Sequence, residues 1–161
     1  MNMPAPRILV VDDEPDLRAL YEISLMRAGY QVFTAEDMEG ARALLRSQQF
    51  DLLITDMRLP DGLGLELLEQ LHAAHRPERA LVITAYGSAD NAVRALKAGA
   101  FDYLTKPVNL DQFRRVVAAA LQAGPVGSSM QEEPAPKTGE RPRPSVLPQG
   151  GASPYPQPAM P

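Results

Sequence analysis

Five short apolar runs, each separated from the next by a stretch of helical spacing, restrict what this chain can fold into. The runs are Arg7-Ile-Leu-Val-Val-Asp12, Gln31-Val-Phe-Thr-Ala35, Asp51-Leu-Leu-Ile-Thr55, Arg79-Ala-Leu-Val-Ile-Thr84 and the shorter Phe101-Asp-Tyr-Leu104. A continuous apolar run without alternation is the pattern of a strand buried on both faces. Between them lie five helical patterns. Pro15 suits a first helical turn, Leu17, Leu20, Tyr21, Ile23 and Leu25 form an apolar stripe, and Gly29 ends it. Asp37 caps a second helix to about Gln48, with Ala41, Leu44 and Leu45 inward. Leu65 to Ala73 is the third, and Ala89 to Ala98, ended by Gly99, the fourth. Asn109 caps the fifth, which runs to about Leu121 with Gln112 at the capping-box position. Five strand–helix units in about 115 residues predict an α/β domain with a parallel sheet. Right-handed crossovers put helices on both faces, a three-layer sandwich. In such a sheet the chemistry sits beyond the carboxyl ends of the strands.

The polar residues collect at those ends. Asp12 and Asp13 follow the first strand, Asp56 the third, and Lys106 and Pro107 the fifth; Thr84 ends the fourth. Taken singly each is ordinary: an aspartate there can be a turn former, a lysine solvated, a threonine one more strand residue. Their joint placement at four of five strand exits is not. Three carboxylates brought that close repel one another. A hard divalent cation relieves the repulsion, and Mg²⁺ prefers one or two carboxylates with waters and a phosphate. Lys106 adds a point charge and Thr84 a hydroxyl. The set is what phosphoryl transfer to a carboxylate needs, which is positioning and charge neutralisation.

Composition divides the chain. Of 16 prolines in 161 residues, six lie in 1–121 and ten in 122–161, where five glycines join them. Proline plus glycine makes 15 of those 40 residues, a composition that cannot bury enough apolar surface to offset chain entropy. We therefore expect a flexible start over 1–6, a folded domain over 7–121 and a disordered tail over 122–161. Pro142-Arg-Pro144 and Pro154-Tyr-Pro156 favour polyproline II, as a docking motif or a plain solvated tail. The tail's charges cancel, so the net charge of −4 belongs to the folded part. The acidic balance argues against direct nucleic-acid binding. The absence of cysteine excludes disulfides, thiolate metal sites and a cysteine nucleophile. With no secretory signal and no apolar run of membrane length, the expected location is the cytoplasm, away from any membrane.

Four motifs occur in order: Val10-Val-Asp-Asp-Glu14, Ile54-Thr-Asp-Met-Arg-Leu-Pro-Asp-Gly62, Val82-Ile-Thr-Ala85 and Tyr103-Leu-Thr-Lys-Pro107. Together they resemble the receiver domain of bacterial two-component response regulators, over about residues 7–121. Thr84-Ala-Tyr-Gly-Ser-Ala-Asp90 and Ala95 to Pro107 are most similar to receivers that precede sigma-54-dependent activator ATPases. The resemblance implies a flavodoxin-like (βα)5 fold with strand order 2-1-3-4-5. It implies that Asp56 accepts the phosphoryl group and that Asp12, Asp13, Asp56 and the backbone carbonyl of Arg58 hold Mg²⁺, Asp13 directly and Asp12 through water. Thr84 and Lys106 match the groups that hold phosphoryl oxygens, Pro107 matches a cis-proline that aims the lysine, and the small Ala85 leaves room. Tyr103 matches the switch aromatic, whose bland alternative is a half-exposed strand residue. Arg58 and Tyr86 match positions that tune acyl-phosphate lifetime. The implied partners are a sensor histidine kinase or phosphotransfer protein, an unknown downstream protein, and a second copy through the face of the fourth helix, fifth strand and fifth helix.

The resemblance stops near Leu121. No phosphate-binding loop of the Gly-x-x-x-x-Gly-Lys-Ser/Thr type and no helix-turn-helix pattern follows. We therefore expect either a stand-alone receiver that acts by docking or a piece of a longer regulator. Three other functions compete. A Mg²⁺-dependent phosphohydrolase of the haloacid-dehalogenase type wants Asp-x-Asp after its first strand, whereas the candidate here is Asp56-Met-Arg58 on the third. A phosphorylation-independent interaction module would have lost Asp56, Thr84 or Lys106. A flavin carrier would need a phosphate-binding loop in place of the acidic pocket.

Overall fold

A computed structural model describes residues 4–85 and 89–124. Residues 1–3, 86–88 and 125–161 lie outside the described residues, and with them fall the expectation of lifetime tuning by Tyr86, half of the flexible start and most of the tail.

The sheet strands are β1 (Arg7–Val11), β2 (Gln31–Ala35), β3 (Leu52–Asp56), β4 (Arg79–Thr84) and β5 (Asp102–Thr105). The helices are α1 (Pro15–Arg27), α2 (Met38–Ser47), α3 (Gly64–Ala73), α4 (Ala89–Lys97) and α5 (Leu110–Gln122). All pairings in the sheet are parallel, in the order β2-β1-β3-β4-β5. Because successive strand residues point to opposite faces, one chain builds two cores. Leu9, Val11, Leu53 and Val82 pack with Met38, Ala41 and Leu45 of α2, Leu67, Leu68 and Leu71 of α3, and Ala95 of α4. Ile8, Val10, Ile54, Leu81 and Leu104 pack with Tyr21 and Leu25 of α1 and Phe113 and Val117 of α5. Two helices therefore cover one face and three the other.

The capping signals act as their chemistry predicts. The Asp37 carboxylate accepts from the Gly40 N–H at 2.7 Å, and the Asn109 side-chain oxygen from the Gln112 N–H at 3.0 Å. Gly29 closes α1 at φ 96°, a left-handed conformation that costs glycine least.

Three details differ from the sequence expectation. The stripe on α1 is narrower than its five apolar residues suggest: Leu20 is 43% and Ile23 50% exposed. At about 100° per residue, Leu17, Tyr21 and Leu25 share an arc that Leu20 and Ile23 leave. The third and fifth strands start one residue later than expected, at Leu52 and Asp102, and Asp51 meets Arg7 twice: its N–H donates to the Arg7 carbonyl at 2.8 Å and its carboxylate accepts the Arg7 N–H at 2.8 Å. Asp56 is the last residue of β3, in register with Ile83. Finally, Arg58–Leu59 and Gly62–Leu63 form a short antiparallel hairpin, where the sequence reads only as a turn.

Candidate functional site

The site lies beyond the carboxyl ends of β1, β3, β4 and β5. Parallel strands fed by crossovers all end on one edge, so residues far apart in sequence meet there. Asp12 leaves β1 buried, its N–H bonded to the Ala35 carbonyl at 3.1 Å. Its carboxylate accepts the Glu14 N–H at 2.9 Å, and its backbone carbonyl accepts from Arg18 Nη1 at 2.7 Å. Asp13 is exposed beside it. Carboxylate oxygens of Asp12, Asp13, Glu14 and Asp56 all lie within 4.8 Å of one another.

Lys106 is the cation in their midst. Its Nζ stands 2.9 Å from Asp56 Oδ2, 3.3 Å from Asp12 Oδ2 and 3.6 Å from Glu14 Oε2. The backbone fixes where that ammonium starts. The Lys106 N–H bonds to the Thr84 carbonyl at 2.8 Å, and the Lys106–Pro107 peptide is cis. Burial pulls the ammonium down, but the hydrogen bond to Asp56 and the charges of Asp56 and Asp12 outweigh it and hold Lys106 above its usual range. Asp12 moves up, chiefly through burial; the Glu14 N–H and Lys106 oppose that rise and the Asp56 charge adds to it.

The remaining expected residues surround this centre. Thr84 is buried at the end of β4, and exposed Ala85 follows it. The Arg58 N–H faces Asp56 Oδ1 at 3.5 Å from an exposed position. Tyr103 is half-buried on β5 and packs against the core on the α2–α3–α4 side, so it is neither fully out nor fully sequestered. Of the expected site residues, Tyr86 alone lies outside the described residues.

Sequence reasoning missed three contributors. Glu14 joins the carboxylates, although only its position after Asp13 hinted at it. Asp61 caps α2 from a distance, accepting the Met38 and Glu39 N–H groups at 2.8 and 3.1 Å, and the Met38 bond first of all holds its carboxyl below the usual range. Gly64 stands where the first turn of α3 presses on β3: a Cβ there would lie 2.1 Å from the Asp56 carbonyl and 2.7 Å from Thr55 Oγ1. Gly64→Ala should therefore push the Asp56 backbone aside and cost about 1–3 kcal/mol; an unchanged denaturation midpoint would contradict that.

The donor set suits a hard cation. Four carboxylates offer only oxygen, and no histidine is among them. In the metal-free protein Asp12 is a burden. A carboxyl raised by folding carries a penalty that sets in as pH rises from the unfolded pKa toward the folded one and is complete above the folded one. Asp12→Asn should thus stabilise the metal-free protein by roughly 0.5–2 kcal/mol while weakening Mg²⁺ binding by about tenfold or more. Denaturation in chelator and a Mg²⁺ titration read the two effects, and lower metal-free stability would mean the Lys106 pairing outweighs burial.

Known proteins resemble this chain in sequence and fold. The family model described as the response regulator receiver domain matches residues 8–118. This chain belongs to that family. The receiver is 51% identical over 120 residues to the response regulator protein PilR of Pseudomonas aeruginosa, covering 74% of this chain and 27% of that protein. It is 41% identical over 116 residues to the alginate biosynthesis transcriptional regulatory protein AlgB of the same organism, covering 72% and 26%. The chain thus spans about a quarter of the length of these curated relatives. Among solved structures, a CheY-like response regulator receiver protein from Methanospirillum hungatei superposes with a TM-score of 0.71 at 31% identity, covering 80% of this chain and 99% of that one. A beryllofluoride-activated NtrC4 receiver domain dimer does so at 0.69 and 31%, covering 72% and 96%. No helix among the receiver's described residues is long and apolar enough to cross a membrane.

Proposed function

We propose that this receiver is a phosphoryl-operated switch in which Asp56 takes a phosphoryl group from a histidine kinase or a phosphotransfer protein. A carboxylate oxygen of Asp56 attacks phosphorus, the P–N bond to the donor imidazole breaks, and a mixed carboxylic–phosphoric anhydride forms on Asp56. The observation that carries this reading is Lys106 Nζ, 2.9 Å from Asp56 Oδ2 within a cluster of four carboxylates. Asp12, Asp13, Asp56 and the Arg58 carbonyl are the residues that would hold Mg²⁺, with Asp12 acting through water. The ion, when bound, neutralises charge on the transferring group. Lys106 exchanges an Asp56 oxygen for a phosphoryl oxygen, and the Thr84 hydroxyl donates to another. Ala85 leaves them space, Pro107 directs the lysine, and the Arg58 and Tyr86 side chains set how long the anhydride lasts. The receiver turns over no external substrate beyond its own phosphorylation and dephosphorylation.

The output is a surface. A phosphoryl group adds about 1.5 to 2 negative charges and three acceptors at Asp56. As Thr84 moves toward it, the Tyr103 ring turns into the vacated space and alters the face of α4, β5 and α5. Val93 and Leu96 of α4 are already half-exposed apolar residues there. That face meets a downstream protein or a second copy, as the dimeric NtrC4 receiver encourages. The action is cytoplasmic, without direct contact to nucleic acid or membrane.

Acetyl phosphate with Mg²⁺ tests the chemistry. One phosphoryl group per chain, mapped to Asp56 by peptide mass and lost with chelator, is the expected result. No adduct, or steady hydrolysis of small phosphate monoesters, would overturn the reading in favour of an interaction module or a phosphohydrolase.

A further inference from the structure

Tyr21 carries a buried side-chain polar atom without a hydrogen-bond partner among the described residues, and the residue is 1% exposed. Its ring packs on Phe113 at a centroid distance of 5.1 Å, in the core shared with Val10 and Leu104. Phenylalanine would fill that space with no hydroxyl to satisfy, and an orphaned buried donor asks for an explanation.

The location supplies one. Val10 precedes Asp12 by two residues and Leu104 precedes Lys106 by two, so this part of the core lies directly beneath the carboxylate–lysine cluster. Helix α1 starts at the site edge with Pro15, and long helical side chains lean toward the N-terminus of their helix. Tyr21 therefore reaches up under the site. Burial pushes its hydroxyl up to about 12, and the charges of Lys106, Asp12, Asp56 and Glu14 all act on it, that of Lys106 most strongly among them.

We propose that Tyr21 is a positioning residue for Lys106: its hydroxyl, through one buried water, hydrogen-bonds the Lys106–Asp12 pair from beneath and fixes where the ammonium stands when a phosphoryl group arrives. Water satisfies buried polar groups in this way when several polar partners surround it. The role rests on the phosphoacceptor function proposed above.

Tyr21→Phe removes the hydroxyl and nothing else, and two measurements read it. In metal-free buffer the denaturation midpoint should fall, because a partnered hydroxyl is lost; loss of an orphan would leave the midpoint unchanged or raise it. With saturating Mg²⁺ and acetyl phosphate, Asp56 should still be labelled but about tenfold more slowly, the lower end of what outer partners of a metal site cost. A lower midpoint with labelling as fast as wild type would make the hydroxyl merely structural and overturn the proposal, as would an unchanged midpoint. A wild-type chain that takes no label would overturn the Asp56 reading and this one together, whereas a labelled wild type matched by an equally fast variant would overturn this one alone.

Discussion

Asp56→Asn should take up no phosphoryl group from acetyl phosphate, at any Mg²⁺ concentration. The amide nitrogen is a poor nucleophile, and the amide oxygen cannot give a stable anhydride. The loss should be complete rather than graded, since no neighbour can substitute. Of the neighbouring carboxylates, Asp12 is buried, bonded to the Glu14 N–H and 3.3 Å from Lys106, and Glu14 is itself paired with Lys106 at 3.6 Å. The fold should survive, because Lys106 keeps Asp12 and Glu14 as partners. Intact mass spectrometry of wild type and variant under identical loading decides it. Full labelling of the variant would reject Asp56 as the acceptor.

Glu78→Ala should be the most damaging substitution away from the site. Glu78 is buried, and its carboxylate accepts from Arg76 Nε at 3.1 Å and Nη2 at 2.6 Å. It also accepts the Phe50 N–H at 2.9 Å, while Arg76 donates to the carbonyls of Leu45 and Gln48. This network joins the end of α2, the loop into β3 and the loop into β4 at the sheet edge opposite the site. Alanine leaves the Phe50 N–H unpaired and takes the counter-charge from Arg76, which keeps only the Leu45 and Gln48 carbonyls, a loss of about 3–5 kcal/mol. Glu78→Gln keeps an acceptor for Phe50 and should lose less. Equal midpoints for Glu78→Ala and wild type in urea would contradict the assigned role.

The strand–helix order was legible because continuous apolar runs and caps are local signals. Asp37 and Asn109 each bond within three residues, so sequence alone locates them. The strand-exit residues were legible for a topological reason: once the sheet is parallel, Asp12, Asp56, Thr84 and Lys106 must share an edge. What stayed hidden depends on contacts between distant segments. Asp61 caps a helix 23 residues earlier, and Glu78 bonds a backbone group 28 residues away. Gly64 looked like any glycine near a turn until the Asp56 carbonyl was found against it. On α1, five apolar residues were too many for one face, and only packing against the sheet chose Tyr21 and Leu25 over Leu20 and Ile23.

The seat of Lys106 has a bearing on how the chain is made. The acidic group belongs to β1 and β3 in the middle of the sheet, whereas Lys106 follows the edge strand β5, 50 residues after Asp56. A polypeptide leaving the ribosome N-terminus first exposes all four acids well before their counterion exists. Until β5 docks, the centre of the sheet edge repels itself, and docking of the last strand removes that repulsion in one step. Docking of β5 and maturation of the site are thereby the same event, and a chain truncated before Lys106 is left with the charge and without its remedy.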